Sequence, residues 1–230
     1  MKKILLFLLI ATSLTGCRTL YLSELNPTEK YGNTSLPSLT PLIDVSSFET
    51  VFAANSTTTN SMGYMSGFNM GNTPYVVGNA VSTSSTFRNP TINDLKVIFE
   101  NDVRNNICAK YGTNKGYISC SVVTGASYNP IGAWWLTWCV GCGIWQLLGV
   151  PTGSGKTYLQ IQVNIFDMNK NLVGSYTSPY VKSKAYVALY WGYSSGNALR
   201  KTARDAFKEC MDDIKKQIAN DAKRLTAALN

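Results

Sequence analysis

Two cysteines separated by two residues, Cys139 and Cys142, are the first groups in this chain able to do chemistry. A thiol pair at that spacing suits thiol–disulfide exchange, and equally a structural disulfide or two packed thiols. The second group is the run Gly153-Ser154-Gly155-Lys156-Thr157, whose loop amides, ammonium and hydroxyl are the types that hold phosphate and magnesium. The third is Cys17, directly behind an apolar leader. The 230 residues include no histidine, which removes Ser-His-Asp and Cys-His nucleophile pairs, HExxH zinc sites and any imidazole acid–base step.

Trp135, Thr137, Trp138, Cys139 and Cys142 together resemble the Trp-x-Thr-Trp-Cys-x-x-Cys stretch of thioredoxin-like envelope proteins. That resemblance implies a lowered-pKa Cys139 thiolate that attacks, a Cys142 that resolves, and Ser178-Pro179 as the facing cis-proline. Such a pair must open a long amphipathic helix. Here Gly143 to Val150 reaches Pro151 within about two helical turns, and no charged residue lies between Lys115 and Lys156. A structural disulfide or two packed thiols is the expectation, with thiol exchange as the alternative. Cys108, Cys120 and Cys210 supply no second close pair, so no metal site is expected. Cys108 and Cys120 are near enough in sequence to be bridged, and Cys210 reads as a small buried hydrophobe.

Val150-Pro151-Thr152-Gly153-Ser154-Gly155-Lys156-Thr157 resembles the phosphate-binding motif of helicases at seven of eight positions. Such a loop follows a strand and opens a helix, whose N-terminus supplies part of the anion site. The residues after Thr157 alternate with period two, which is a strand, and Val150 replaces the usual small residue. We therefore expect a Gly-Ser turn between hairpin arms, with Gly153, Gly155, Lys156 and Thr157 a decoy and no nucleotide or other cofactor bound.

Residues 1–16 begin with Lys2 and Lys3 and continue as an apolar stretch, Ile4 to Ile10, of signal-peptide length. Leu14-Thr15-Gly16-Cys17 resembles the lipobox of bacterial lipoproteins. The resemblance implies cleavage before Cys17, a diacylglycerol on its thiol and an acylated amine, palmitate being such a chain. Several chains at about 0.8 kcal/mol per buried methylene anchor durably where one would be marginal. Arg18 stands where the family places an inner-membrane retention Asp. The implied location is the cell envelope, with the outer membrane facing the periplasm if the cell is Gram-negative.

Loss of the leader lowers the formal charge from +8 to +6. That surplus is compatible with anionic lipid or cell-wall polymer. It is diffuse, without the Arg-rich run or aromatic-spaced basic stripe of nucleic-acid binders, so no nucleic acid partner is expected. Residues 17–48 read as lipid anchor and tether, with Pro27, Pro37 and Pro41 keeping the chain extended and the domain off its anchor. Residues 49–88 read as a low-complexity loop: 55–86 hold 21 Ser, Thr, Asn or Gly in 32 positions and can bury little.

An α+β domain is expected over 89–230. Thr91 is placed as the cap of a helix with Ile92, Leu95, Phe99, Val103 and Ile107 on one face, stopped by Gly112. Ile118, Cys120 and Val122 alternate with polar residues as a strand. Leu159, Ile161, Val163 and Ile165 do so more clearly over 158–165. A third strand covers Leu172 to Tyr176 and a fourth includes Tyr186 to Tyr190. A helix from Ser195 to Leu229 carries Leu199, Ala203, Ala206, Cys210, Ile214, Ile218, Leu225 and Leu229 on one face. The order predicts a mainly antiparallel sheet of about four strands covered by two helices.

Residues 116–155 carry no charge, and four of the five tryptophans lie within 134–145. A spanning helix over 131–150 would put strands of one sheet on opposite sides of a bilayer, so an apolar insertion is expected instead. Trp134, Trp135, Trp138, Ile144, Trp145, Leu147 and Leu148 are its candidates for membrane or partner contact, because tryptophan favours the headgroup level. Core packing is the other reading of these residues. The expected function is a structural, assembly or binding role at the envelope without catalysis, through a protein partner or homo-oligomer. A membrane-inserting oligomer is a further alternative. The architecture is loosely similar to curli-secretion-type accessory lipoproteins, a likeness resting on no motif.

Overall fold

The computed structural model describes residues 18–27, 34, 36–52, 89–109, 112–130, 144–147, 149–189 and 191–229. Its centre is β3 (Gly153–Asp167), whose Leu159, Ile161, Val163 and Ile165 are fully buried while the intervening Tyr158, Gln160, Gln162 and Asn164 face outward. This period-two pattern is what a sheet with one covered face requires. β2 (Gly116–Tyr128) runs antiparallel along most of β3, from Gly116 opposite Asp167 to Tyr128 opposite Lys156. The register shifts between Val122 and Thr124, a bulge that leaves Val123 exposed.

On the other side of β3 two strands lie end to end. β4 (Leu172–Thr177) pairs with residues Gln162 to Phe166, and β5 (Val181–Val187) pairs with Gly153 to Leu159, both antiparallel. The β3–β4 turn places Lys170 at φ +65°, and Asp167 accepts hydrogen bonds from the Asn171 backbone and side chain at 2.8 and 2.9 Å. A fifth strand, β1 (Thr40–Ile43), joins the sheet parallel to β2, with Thr40 opposite Tyr117.

Among the described residues the fold is therefore α+β, with a mostly antiparallel sheet of five strands and three helices longer than one turn, consistent with the class read from the sequence. β1 and helix α1 (Val45–Phe52) were not foreseen, since the sequence reads 17–48 as tether and 49–88 as loop. Short polar interruptions hid Leu36, Leu39, Phe48, Val51 and Phe52, all of which are core residues. Phe48 meets Phe207 edge-on with ring centroids 6.0 Å apart. The Val122 N–H donates to Ser47 Oγ at 3.0 Å, so α1 covers the edge of β2 beyond β1.

Helix α2 (Pro90–Asp102) is capped by Asn89, whose side chain accepts from the Thr91 N–H at 3.0 Å. The expected Thr91 cap is displaced because Pro90, lacking an N–H, fits the first helical position and puts the cap one residue earlier. The helix widens into a π turn over Val103–Ile107 before the chain extends at Cys108. Ile92, Leu95, Phe99, Val103 and Ile107 are all buried.

Helix α3 (Ser195–Leu229) lies across β3, β4 and β5 and packs against α2. Its residues Ala203, Ala206, Cys210, Ile214 and Ile218 are fully buried, and Leu199, expected among them, is half-buried beside the buried Ala198. Two of its cations, Arg204 and Lys215, are also buried. Asp94 receives Arg200 and Arg204, the latter at 2.8 Å, and Lys215 sits between Asp102 at 3.1 Å and Asp212 at 2.9 Å. The Asp94 and Asp102 pairs join α2 to α3. No helix among the described residues is long and apolar enough to cross a membrane.

Candidate functional site

The helicase-like run has no helix to open. Gly153 to Thr157 are the first residues of β3, so the Gly-Ser turn expected there is instead strand, paired with β5. Gly155 faces the start of α3, where an added Cβ would lie 2.9 Å from the Ala198 carbonyl carbon and from the Leu199 nitrogen. Its glycine character lets helix and strand backbones approach, a packing requirement that leaves its amide in the ladder opposite Ala185. Thr157 is fully buried, its hydroxyl 3.0 Å from Ser127 Oγ and 2.8 Å from Thr202 Oγ1. Lys156 stands opposite Tyr128 and Lys184 on the outer face of the sheet.

Of the cysteines, Cys108, Cys120 and Cys210 are buried and free. The bridge considered between Cys108 and Cys120 is absent: both are free thiols buried in the core, Cys120 on β2 and Cys108 directly after the π turn. Burial pushes the Cys108 and Cys210 thiols up to about 11, and that of Cys120 further still. Cys210 Sγ donates to the Leu159 carbonyl at 3.5 Å, a small core residue as expected. Cys17, Cys139 and Cys142 lie outside the described residues. Ser178-Pro179, expected as the cis-proline, is trans, and the buried Ser178 Oγ accepts the Ile161 N–H at 3.0 Å.

Of the insertion, Trp134, Trp135 and Trp138 lie outside the described residues, as does Leu148. Ile144–Leu147 forms one helical turn in which Trp145 is 47% exposed and Gln146 is buried. The strand expected over Tyr186 to Tyr190 is instead Val181–Val187. Beyond it the chain folds back, because Gly192 lies so close to Ala188 that a Cβ would come 2.4 Å from its nitrogen. In this register Lys182, Lys184 and Tyr186 face outward together and Val181 and Ala185 inward.

That register builds a site the sequence reading missed. Tyr128, Tyr158 and Tyr180 form a stacked row across β2, β3 and the start of β5, with ring centroids 5.9 and 5.8 Å apart and planes within 18°. The shared hydrogen bond of Tyr128 and Tyr158 raises the first phenol and lowers the second, which Lys156 and Lys182 lower further. Lys182 stands 5.8 Å above the Tyr158 ring. Lys184 stands 4.4 Å above the Tyr186 ring, which in turn lies 5.9 Å from Trp191. Trp191 Nε1–H donates to the Gly149 carbonyl at 2.7 Å, fastening the end of the insertion to the turn after β5.

The start of the described chain meets the same turn. The Arg18 N–H donates to the Gly192 carbonyl at 3.0 Å, and its guanidinium lies 5.5 Å above the Tyr193 ring. Leu20, like Val187, packs against the cluster of Ala185, Tyr193 and Ala198. The tether was expected to hold the domain away from its anchor; the residue after Cys17 is instead seated on the domain. A legible signal was the charge pattern, for no carboxylate occurs from 103 to 166 or from 168 to 204.

Comparison with known proteins adds little. No family model matches the chain, and no curated protein matches it. Among solved structures it is similar to that of a "putative lipoprotein" from Caulobacter crescentus CB15, at 11% identity and a TM-score of 0.28, covering 60% of this chain and 80% of that one. A likeness of that size carries no argument about fold or function.

Proposed function

We propose that the chain is a lipid-anchored protein of the cell envelope whose α+β domain has a structural, assembly or binding role and no catalytic one. The carrying observation is Leu14-Thr15-Gly16-Cys17 behind a short leader with Lys2 and Lys3, the arrangement that lipoprotein processing acts on. The geometry of the domain supports a binding role. One face of its sheet is covered by α1, α2 and α3, while on the outer face Lys156, Tyr158, Gln160, Gln162 and Asn164 have no covering helix among the described residues. Thiols among the described residues are buried and held protonated, which suits packing rather than exchange.

The test is metabolic labelling with a palmitate analogue in cells making the full chain or its Cys17→Ser variant. The reading expects label on the full chain, none on the variant, and release of the variant from the membrane fraction. A mature N-terminus anywhere other than Cys17, or equal labelling of both, overturns it.

A further inference from the structure

From the convergence of Arg18, Trp145, Tyr186 and Trp191 at one tip of the domain, flanked by Lys156, Lys182 and Lys184, we infer that this tip and the adjoining outer sheet edge lie directly on an anionic lipid bilayer. The inference deepens the lipid-anchor reading and rests on it for the position of Cys17.

Anchor geometry is the first support. Arg18 is fixed through the Gly192 carbonyl and the Tyr193 ring, and Leu20 is packed beside them. Only one peptide link, about 3.8 Å between Cα atoms, then separates the acylated residue from the folded domain. A domain held that closely cannot stand off the membrane, and the surface beside Arg18 must face the headgroups.

That surface has the composition a headgroup layer selects. Trp145 is 47% exposed, Leu189 45%, Tyr186 39% and Trp191 50%. Tryptophan and tyrosine, apolar in body with one polar tip, concentrate at this level. The hydrogen bond from Trp191 to Gly149 binds the end of the Trp-rich insertion to the same tip. Lysines surround it: Lys184 over Tyr186, Lys182 over Tyr158 and Lys156 across the ladder from Lys184. No strand residue from Gly116 to Phe166 or from Leu172 to Val187 is acidic, so nothing on this face repels a negative surface. Long lysine stems can lie along the aromatic rings and present their ammonium groups to phosphate.

The test uses the mature chain, residues 17–230 with Cys17→Ser, so that binding through the leader and through acyl chains is removed, and co-sedimentation with two kinds of vesicle. One kind is phosphatidylcholine alone, the other contains about a third phosphatidylglycerol, a fraction that gives an anionic surface. Three variants are compared: the parent, Lys156→Gln/Lys182→Gln/Lys184→Gln, and Lys96→Gln/Lys216→Gln/Lys223→Gln as an equal-charge control on α2 and α3. We expect binding to anionic vesicles that weakens with salt. The first triple variant should lose about a hundredfold, roughly fivefold per lysine at an anionic surface, while the control triple changes by less than about threefold.

Equal losses in the two triple variants would reduce the effect to net charge and overturn the proposal. So would equal binding to the two vesicle types, absence of vesicle binding, or equally tight retention on dextran sulfate. Should palmitate labelling fail while charge-dependent vesicle binding persists, the anchor is wrong and the face stands. Labelling without such binding leaves the anchor and removes the face.

Discussion

Gly155 lies against Ala198 at a separation that admits no side chain: a Cβ on Gly155 would be 2.9 Å from the Ala198 carbonyl carbon. Both neighbours are backbone, in a strand and in the first turn of a 35-residue helix, so neither can rotate away. Gly155→Ala is expected to destabilise the fold by about 1–3 kcal/mol, the cost of overpacking. Gly153→Ala, where the nearest atom is 3.8 Å away, is expected to change it by less than about 0.5 kcal/mol. Urea titrations of the two variants check this. Equal midpoints would mean that the strand and helix do not meet at Gly155.

Phe48 tests whether residues 45–52 belong to the domain. Phe48 and Phe207 are both fully buried and meet edge-on. Each change to Ala is expected to cost about 3–5 kcal/mol. A double-mutant cycle should show coupling of about 0.5–1.5 kcal/mol, as direct aromatic contact predicts. A Phe48→Ala variant as stable as the parent would return this stretch to the tether.

The buried carboxylate of Asp94 holds Arg200 and Arg204, and Arg204 is itself 3% exposed in its side chain. Asp94→Ala leaves the buried Arg204 charge with Glu24, 3.6 Å away, as its remaining carboxylate among the described residues, and is expected to cost about 3–5 kcal/mol. Adding Arg204→Met should restore part of that loss, because the desolvation cost disappears with the charge. Thermal melts of the single and double variants decide it; no restoration would place the cost in lost packing.

The buried thiols give a pH dependence with a definite sign. Cys108 and Cys210 move from an ordinary value of 9.0 up to about 11 by burial, so the folded chain keeps protons that the unfolded chain has released. Stability from these groups is complete below about pH 9 and falls as pH rises from 9 toward 11. Chemical denaturation at several alkaline pH values should show the fall. It should shrink in a Cys108→Ala/Cys210→Ala variant. Native-state alkylation at pH 8 should spare Cys108, Cys120 and Cys210 until the protein is unfolded.

Strong periodicity carried the reading of β2, β3, β4, α2 and α3, since each buries one face and must repeat at the period of its backbone. The α3 bounds, Ser195 and Leu229, came from that repeat alone. β1 and α1 were illegible because their apolar residues are too few to set a period. Leu36, Leu39 and Phe48 are core residues only because β2 and α3 are there to receive them. The lysine and tyrosine face was illegible for a related reason. Lys182, Lys184 and Tyr186 align only in the register of β5 against β3, and a fourth strand placed at Tyr186 to Tyr190 scatters them.

What the sequence by itself determined is what is covalent or strictly local. It carries the Leu14-Thr15-Gly16-Cys17 motif behind an apolar stretch, lacks any imidazole, and alternates from Tyr158 to Ile165 as a strand must, whereas the turn it suggested at Gly153 to Thr157 is the start of that strand. What only the tertiary structure decided is where distant segments meet. Arg18, Gly149, Lys184 and Trp191 are separated by up to 173 positions in the chain, yet they gather at one tip. Pairing of β3 with β5 and the fold-back at Gly192 bring them there, and contacts made by such closure leave no periodic trace in the chain.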